Sequence, residues 1–157
     1  MADKRRFDLF AAFVTQHFPA AQRAFDIAGG MGKLNAALTT RGLDVLTFDK
    51  RWKHDDVQYA QRLFTLAEPC ACDVVVGMHP DGATRIIVEY AHKHRVGFAI
   101  VPCCSDNGMP YKPWMRHLAE LGTSLGLEVA EHALPMIGRA RVLVGRPSLR
   151  EPSPRDQ

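Results

Sequence analysis

Residues 26–32 read Asp-Ile-Ala-Gly-Gly-Met-Gly and lie between a short apolar run and a segment that favours a helix. In such a place glycines let the backbone turn sharply and approach a ligand without a Cβ in the way. A second acid, Asp49, ends the next apolar run and is suited to accept both hydroxyl groups of an adenosine ribose. The first acid, the glycine-rich loop and the second acid together predict a strand–loop–helix unit that binds a nucleoside.

Helical and strand-like patterns alternate along the rest of the chain. The predicted helices cover residues 7–18, 33–40, 82–94 and 112–125, and the predicted strands cover residues 24–28, 43–49, 63–66, 73–77, 96–101, 128–134 and 139–144. Such alternation is typical of an α/β fold in which helices cover both faces of a parallel sheet. The last two strands have no helix between them and predict an antiparallel hairpin at the C-terminal end of the sheet.

The length and composition are those of one globular domain. Of the 157 residues, 46% are hydrophobic and 24% are charged, and the net charge is +3. We expect a single domain over residues 1–146, with an N-terminal helix in residues 1–19, and a disordered tail over residues 147–157. The apolar runs are too short to span a bilayer and the first residues show no leader pattern, so we expect a cytoplasmic protein without membrane association.

The glycine-rich loop does not fit the dinucleotide-binding pattern, which needs glycine at its first, third and sixth positions. Counted from Gly30, the sixth residue is Asn35, and counted from Gly29, the third residue is Met31. The segment instead resembles the first motif of the class I S-adenosylmethionine-dependent methyltransferases, with Ala28 in place of the first glycine. The resemblance implies a Rossmann-like, doubly wound, mostly parallel seven-stranded sheet with a C-terminal antiparallel hairpin.

The resemblance also implies S-adenosylmethionine as the cofactor. It assigns cofactor binding to residues of the loop and of the end of the second strand: Asp26, Ala28, Gly29, Gly30, Gly32, Asp49 and Lys50. The loop would approach the methionine part of the cofactor. Asp26 would position the loop and the amino group, and Asp49 would hold the ribose hydroxyls. No residue of this sequence is aligned with the adenine contact that the family places after its third strand.

Two unusual segments follow the fourth and fifth predicted strands. Residues 77–82 read Gly-Met-His-Pro-Asp-Gly, and residues 102–107 read Pro-Cys-Cys-Ser-Asp-Asn. In class I methyltransferases the first of these segments borders the transferred methyl group and the acceptor atom. The resemblance therefore makes His79 both a cofactor-binding and a catalytic candidate and Asp81 a catalytic candidate, for orienting the substrate or removing a proton. The same residues also form a good turn, with Asp81 as the N-cap of the next helix.

Cys103 is the third catalytic candidate, because cytosine-5 RNA methyltransferases place a nucleophilic cysteine after the fifth strand. Those enzymes have Pro-Cys after the fourth strand, whereas this sequence has His-Pro. A zinc site is a second interpretation, drawing on Cys70, Cys72, Cys103, Cys104 and His79, but their spacing is not the usual knuckle and we expect no metal. The third interpretation is a pair of small buried thiols, kept reduced in the cytoplasm.

RNA is the expected substrate. The segments after the fourth and fifth strands resemble the methyltransferase family that includes an acceptor-stem tRNA 2′-O-methyltransferase. Aromatic and basic residues suited to stack on a base and contact phosphates follow those segments: Tyr111, Lys112, Trp114, Arg116, Arg139, Arg141, Arg146 and Arg150. The simpler interpretation is that Trp114 packs in the core and the arginines form a solvated face.

We therefore expect an S-adenosylmethionine-dependent methyltransferase that acts on RNA. A single domain leaves acceptor recognition to the loops, the N-terminal helix, a second copy in a homo-oligomer or a partner chain. The alternative is a non-catalytic cofactor-binding or interaction module with the same fold. Ala28 in place of a family glycine, and the lack of an Asn/Asp-Pro-Pro-Tyr segment, keep that alternative open.

Overall fold

The computed structural model describes residues 3–51, 57–80, 82–105 and 107–148. Within these ranges the chain forms four helices and seven strands. The helices are α1 (Arg6–His17), α2 (Lys33–Thr40), α3 (Thr84–His94) and α4 (Tyr111–Ser124), and the strands are β1 (Arg23–Ile27), β2 (Asp44–Asp49), β3 (Tyr59–Gln61), β4 (Val74–Met78), β5 (Gly97–Val101), β6 (Leu127–Ala133) and β7 (Arg141–Pro147). None of the described helices has the length and apolar character needed to cross a membrane.

The strands form one sheet in the order β3-β2-β1-β4-β5-β7-β6. Strands β1 to β5 run parallel to one another, whereas β7 runs antiparallel to both of its neighbours, β5 and β6. The predicted mostly parallel, seven-stranded sheet with its C-terminal hairpin is confirmed. The strand order reverses between β1 and β4, and ligands of open α/β sheets bind outside the carboxyl ends of the strands at such a point.

Separate cores lie on the two faces of the sheet, because successive side chains of a strand point to opposite faces. On one face Phe25 and Val75 pack against α3 and α4. On the other face Ala24 and Val74 pack against α1 and α2. Every residue of β4 and β5 is buried, as expected for central parallel strands covered on both sides. The middle of the sheet is therefore a rigid support for the loops at its carboxyl edge.

The third strand is not where the sequence predicts it. The apolar run at residues 63–66 predicts a strand, but β3 comprises Tyr59–Gln61. Only Ala60 of its three residues is buried, so β3 has no apolar pattern long enough to indicate a strand. Phe64 lies in the loop after β3, where its ring packs edge-on against Phe48. Of this run only Phe64 is buried, whereas Leu63 is 67% exposed, so the loop buries one aromatic ring without forming an extended strand.

The other predicted elements overlap the observed ones, with ends that differ by a few residues. Strand β7 extends to Pro147, which pairs with Leu127, so the first residue of the predicted tail belongs to the sheet. Ser148 follows the strand, and residues 149–157 of the predicted tail lie outside the described residues. The domain limits and the disordered tail remain predictions.

A buried amide ties α2 to the strands beneath it. The Asn35 amide nitrogen lies 2.9 Å from Thr47 Oγ1, 3.1 Å from Gln58 O and 3.2 Å from Val45 O, and donates toward them. Its oxygen accepts a hydrogen bond from the Thr39 hydroxyl. Breaking such a network leaves several buried polar groups without partners, each at a cost of about 1–3 kcal/mol. Asn35 therefore fixes the position of α2, and with it the end of the glycine-rich loop.

Candidate active site

The glycine-rich loop between β1 and α2 turns through left-handed residues. Ala28, Gly30 and Gly32 have φ angles of +53°, +57° and +84°. Glycine adopts this conformation freely, whereas for an alanine it costs about 1–2 kcal/mol. The Ala28 N–H donates to the carbonyl oxygen of Phe48 at 2.8 Å, which holds the loop against the end of β2. The residue that replaces the family glycine therefore takes a conformation that favours glycine.

Asp26 lies beneath this loop and is fully buried. Its Oδ2 accepts a hydrogen bond from the Thr47 hydroxyl at 2.9 Å, and a Cβ built on Gly29 would come within 2.2 Å of the same oxygen. Its Oδ1 has no hydrogen-bond partner among the described residues. Burial raises the pKa of Asp26 to about 7; the Thr47 hydroxyl opposes this effect and the charge on Asp49 adds to it. One carboxylate oxygen is thus left for a cationic or hydrogen-bonding ligand.

Asp49 ends β2 and joins the loop to the residues that follow the strand. Its carboxylate accepts hydrogen bonds from Gly30 N at 2.9 Å and from Arg51 N at 3.0 Å. Burial would raise the pKa of Asp49, but these hydrogen bonds and the Arg51 guanidinium outweigh burial, and the pKa is lowered. The Tyr59 hydroxyl lies 3.1 Å from Gly30 O and 2.7 Å from Arg51 O. Strand β3 therefore also contacts both the glycine-rich loop and the residues that follow β2.

A cavity of about 550 Å³ opens at the carboxyl ends of β1 and β2. Of the predicted cofactor-binding residues, Ala28, Asp49 and Lys50 line it. Its apolar wall includes Leu63 from the loop after β3 and Ile86 from α3. A volume of this size, with a few polar groups converging on an apolar wall, is typical of small-molecule sites. Leu63 and Phe64 thus follow β3, in the segment where the resemblance places the adenine contact and where no residue could be assigned from the sequence.

His79 follows β4 and does not line that cavity. Its φ angle is +50°, its N–H donates to Val101 O at 2.8 Å, and its Nε2 lies 3.4 Å from Arg139 O. Burial lowers the pKa of His79; the Arg139 carbonyl opposes this effect, and the charges of Arg6 and Arg139 add to it. The imidazole is therefore neutral at neutral pH and able to accept a proton. Asp81, predicted beside it, lies outside the described residues.

Arg139, in the β6–β7 loop, brings His79 and Cys103 together. Its carbonyl faces the His79 ring, and its guanidinium donates to the carbonyl oxygen of Cys103. The guanidinium also lies over the ring of Tyr111, 4.2 Å from the centroid. Cys103 is partly exposed, and its sulfur lies 3.5 Å from that of Cys104. These groups form a second cluster, separate from the cavity, which we name the Arg139 cluster.

The five-residue zinc set is not assembled. Cys70 and Cys72 precede β4, whereas Cys103 and Cys104 follow β5, so the two pairs lie at opposite edges of a parallel sheet. In the described part of the chain no group of three or more metal-binding side chains comes together. Trp114 is buried and donates its indole N–H to Thr84 Oγ1 at 3.2 Å, so it packs in the core and is not a base-stacking platform.

The fold matches solved methyltransferase structures although the sequences have diverged. DesVI of Streptomyces venezuelae superposes with a TM-score of 0.66 at 12% identity over 91% of each chain. A sugar N-methyltransferase from a Streptoalloteichus species gives 0.66 at 12% identity, over 92% of this chain and 87% of that one. The 1,6-didemethyltoxoflavin N1-methyltransferase of Burkholderia thailandensis, solved with bound 1,6-didemethyltoxoflavin and S-adenosylhomocysteine, gives 0.61 at 14% identity, over 93% and 80%.

No protein-family model matches the sequence, and no curated protein matches it. The likeness to solved structures nevertheless extends over nearly the whole chain. The chain has the fold of the class I S-adenosylmethionine-dependent methyltransferases, and the resemblance indicated by the loop and the hairpin is confirmed for the fold.

Burial of Asp26 predicts a pH dependence of stability. Between about pH 4 and pH 7 the unfolded chain has this carboxyl ionised while the folded protein keeps it protonated. The free energy of unfolding should therefore fall as pH rises through this range, by up to about 1.4 kcal/mol per pH unit, and the dependence should end above pH 7. Urea unfolding of the wild type and of Asp26→Asn at several pH values measures the difference.

The free energy of unfolding of Asp26→Asn should increase relative to that of the wild type as pH rises from 4 to 7. Asp44→Asn, an exposed acid on β2, controls for the loss of one negative charge. Parallel pH profiles for the wild type and Asp26→Asn would contradict the account.

Proposed function

We propose that the chain is an S-adenosylmethionine-dependent methyltransferase and that the 550 Å³ cavity holds the adenosine part of the cofactor. The observation that carries the proposal is the arrangement of two buried acids around a glycine-rich loop at the carboxyl edge of the sheet. Below the loop, Asp26 Oδ1 has no hydrogen-bond partner among the residues that the structure describes, and Asp49 lines the cavity. An ammonium group and a pair of ribose hydroxyls are the ligand groups that suit these two carboxylates.

The residues present fit the cofactor part by part. Asp49 would hold the ribose hydroxyls, and Lys50 would lie beside the adenosine. The apolar side chains Leu63, Phe64 and Ile86 line the cavity and suit an adenine ring. The glycine-rich loop and Asp26 would hold the methionine part. When bound, S-adenosylmethionine supplies an electrophilic methyl group, and the protein has to hold the acceptor in line with it.

The segment after β4 links the cofactor side to the acceptor side. Gly82 and Ala83 line the cavity, whereas His79 belongs to the Arg139 cluster. A neutral imidazole at this point would accept the proton that an acceptor hydroxyl or amine releases. Asp81 and Cys103 remain candidates, for orienting the acceptor and as a nucleophile respectively. The acceptor therefore enters from the side of the β6–β7 loop.

The identity of the acceptor is a separate question. RNA is the acceptor predicted from the segments after β4 and β5. The structural neighbours named above include a sugar N-methyltransferase and a toxoflavin-precursor methyltransferase, so sugars and small aromatic molecules belong in the same screen. Cytoplasmic location and a homo-oligomer or partner chain also remain predictions.

Asp49→Asn should weaken cofactor binding by about 10- to 100-fold, because it removes a charged acceptor of ribose hydroxyl hydrogen bonds. Titration calorimetry with S-adenosylmethionine and S-adenosylhomocysteine measures this loss. Asp44→Asn, at the opposite end of β2, should bind as the wild type does. Failure of the wild type to bind either ligand, with its fold verified by circular dichroism, would contradict the proposal.

His79→Gln should reduce methyl transfer by about 100-fold or more while leaving cofactor affinity within about threefold of the wild type. The measurement is transfer of a radiolabelled methyl group from S-adenosylmethionine to pools of small RNAs, amino sugars and small phenols. Cys103→Ser in the same assay tests the nucleophile, since full activity would exclude it. Cofactor binding without transfer to any pool would favour the non-catalytic module over the enzyme.

A further inference from the structure

The β6–β7 loop places an arginine, Arg139, beside His79. The guanidinium of Arg139 donates to Cys103 O and lies over the Tyr111 ring. No ion pair is formed by this arginine within the described ranges. A guanidinium stacked on a ring keeps its other in-plane N–H groups for an anion, which it binds in a two-pronged geometry. Arg139 therefore has guanidinium N–H groups available to an anion, on the side of the site where the methyl acceptor would bind.

Arg6 is held, through Asp3, against the same β6–β7 loop. The chain before α1 is fastened to the β6–β7 loop, because Asp3 Oδ2 accepts a hydrogen bond from Ile137 N at 3.1 Å. Arg6 in turn donates to Asp3 O at 3.0 Å, and it too forms no ion pair with a described residue. After the larger effect of burial, the charges of Arg6 and Arg139 both lower the pKa of His79. Two guanidinium groups thus act on one imidazole.

The described acids near this cluster are already paired. Asp3 forms an ion pair with Arg5 at 3.0 Å, and Glu131 forms one with Arg141 at 2.6 Å. The Tyr111 hydroxyl, by contrast, is buried without a hydrogen-bond partner among the described residues. A bound anion would satisfy two guanidinium groups that form no ion pair, and a hydroxyl donor that has no partner, among the described residues.

We propose that Arg139, Arg6 and Tyr111 form a phosphate-binding subsite for the methyl acceptor. The inference rests on the proposed function, because His79 has to lie between this subsite and the atom that is methylated. The acceptor then carries a phosphate close to its reacting hydroxyl or amine. That phosphate belongs either to a small phosphorylated molecule or to the backbone of an RNA.

The test is a titration of the isotope-labelled protein with inorganic phosphate, in which sodium chloride keeps the ionic strength constant. The arginine Nε–H signals in NMR spectra report the binding. We expect saturable binding to the wild type and a loss of about tenfold or more in Arg139→Gln, because a charge-assisted pair is removed. Arg6→Gln should also weaken binding, and it keeps the test valid if Arg139→Gln does not fold. Arg23→Gln, whose arginine begins β1 at the opposite edge of the sheet and is paired with Asp44, should stay within about twofold of the wild type.

Three results would overturn the subsite: binding to the wild type that does not saturate, an equal loss in Arg23→Gln, or no loss in Arg139→Gln and Arg6→Gln. The same samples are titrated with S-adenosylhomocysteine, whose affinity should be unchanged in the variants. If the wild type does not bind S-adenosylhomocysteine, the proposed function is wrong. The wild-type titration alone shows this, before any variant is compared. Loss of phosphate binding with retained S-adenosylhomocysteine binding is specific to the subsite.

Two larger probes identify the source of the phosphate. Ribose 5-phosphate represents a small acceptor, and a single-stranded RNA of about ten nucleotides represents a backbone, whose binding weakens steeply with salt. Tighter binding of the RNA that is lost in Arg139→Gln assigns the phosphate to RNA. Equal affinities, both lost in that variant, assign it to a small molecule. Insensitivity of both ligands to Arg139→Gln would overturn the proposal.

Discussion

The buried carboxylate of Asp26 beneath Gly29 is the constraint on which the carboxyl edge of the sheet depends. Burying an acid without a counter-charge is costly, and within the described part of the chain this one accepts a single hydrogen bond, from Thr47. Thr47 is itself held by Asn35, so the chain of hydrogen bonds runs from α2 through β2 to β1. Any side chain at residue 29 would collide with the Asp26 carboxylate. The path of the loop, the left-handed Ala28 and the approach of Gly30 to Asp49 follow from this arrangement.

The carboxyl edge divides into two regions with different chemistry. Asp49 and an apolar wall line the cavity, and Asp26 is buried beneath the adjoining glycine-rich loop; together they suit a ligand with an ammonium group, a ribose and a flat base. On the side of the β6–β7 loop lie the Arg139 guanidinium, the His79 imidazole and the Tyr111 ring, with Arg6 held against the same loop through Asp3; these groups suit an anionic acceptor that must lose a proton. The short segment after β4 contributes to both, through His79 on one side and Ala83 on the other. Methyl transfer requires this adjacency, since the donor and acceptor atoms have to meet.

How much of this the sequence could predict depends on how local each signal is. The glycine-rich loop and Asp49 were predictable because a strand, a turn and a helix next to one another in sequence define the loop. The roles of Leu63 and Tyr59 in the site were not predictable. Strand β3 is only three residues long, and the stronger apolar pattern lies in the loop after it. Arg139 lies 36 residues from Cys103 in sequence, and only the antiparallel return of β7 beside β5 brings the two together.

Cofactor binding in the cavity is tested most directly by hydrogen–deuterium exchange with and without saturating S-adenosylhomocysteine. We expect slower exchange of the amides in residues 28–32, 50–51 and 62–64, by about 100-fold when the ligand is at 100 times its dissociation constant and exchange requires its release. Amides of the β6–β7 hairpin away from the loop should not change. Protection confined to the other hollow, beside α2 and lined by Thr39, Asp44 and Gln58, or no protection at all, would contradict the claim.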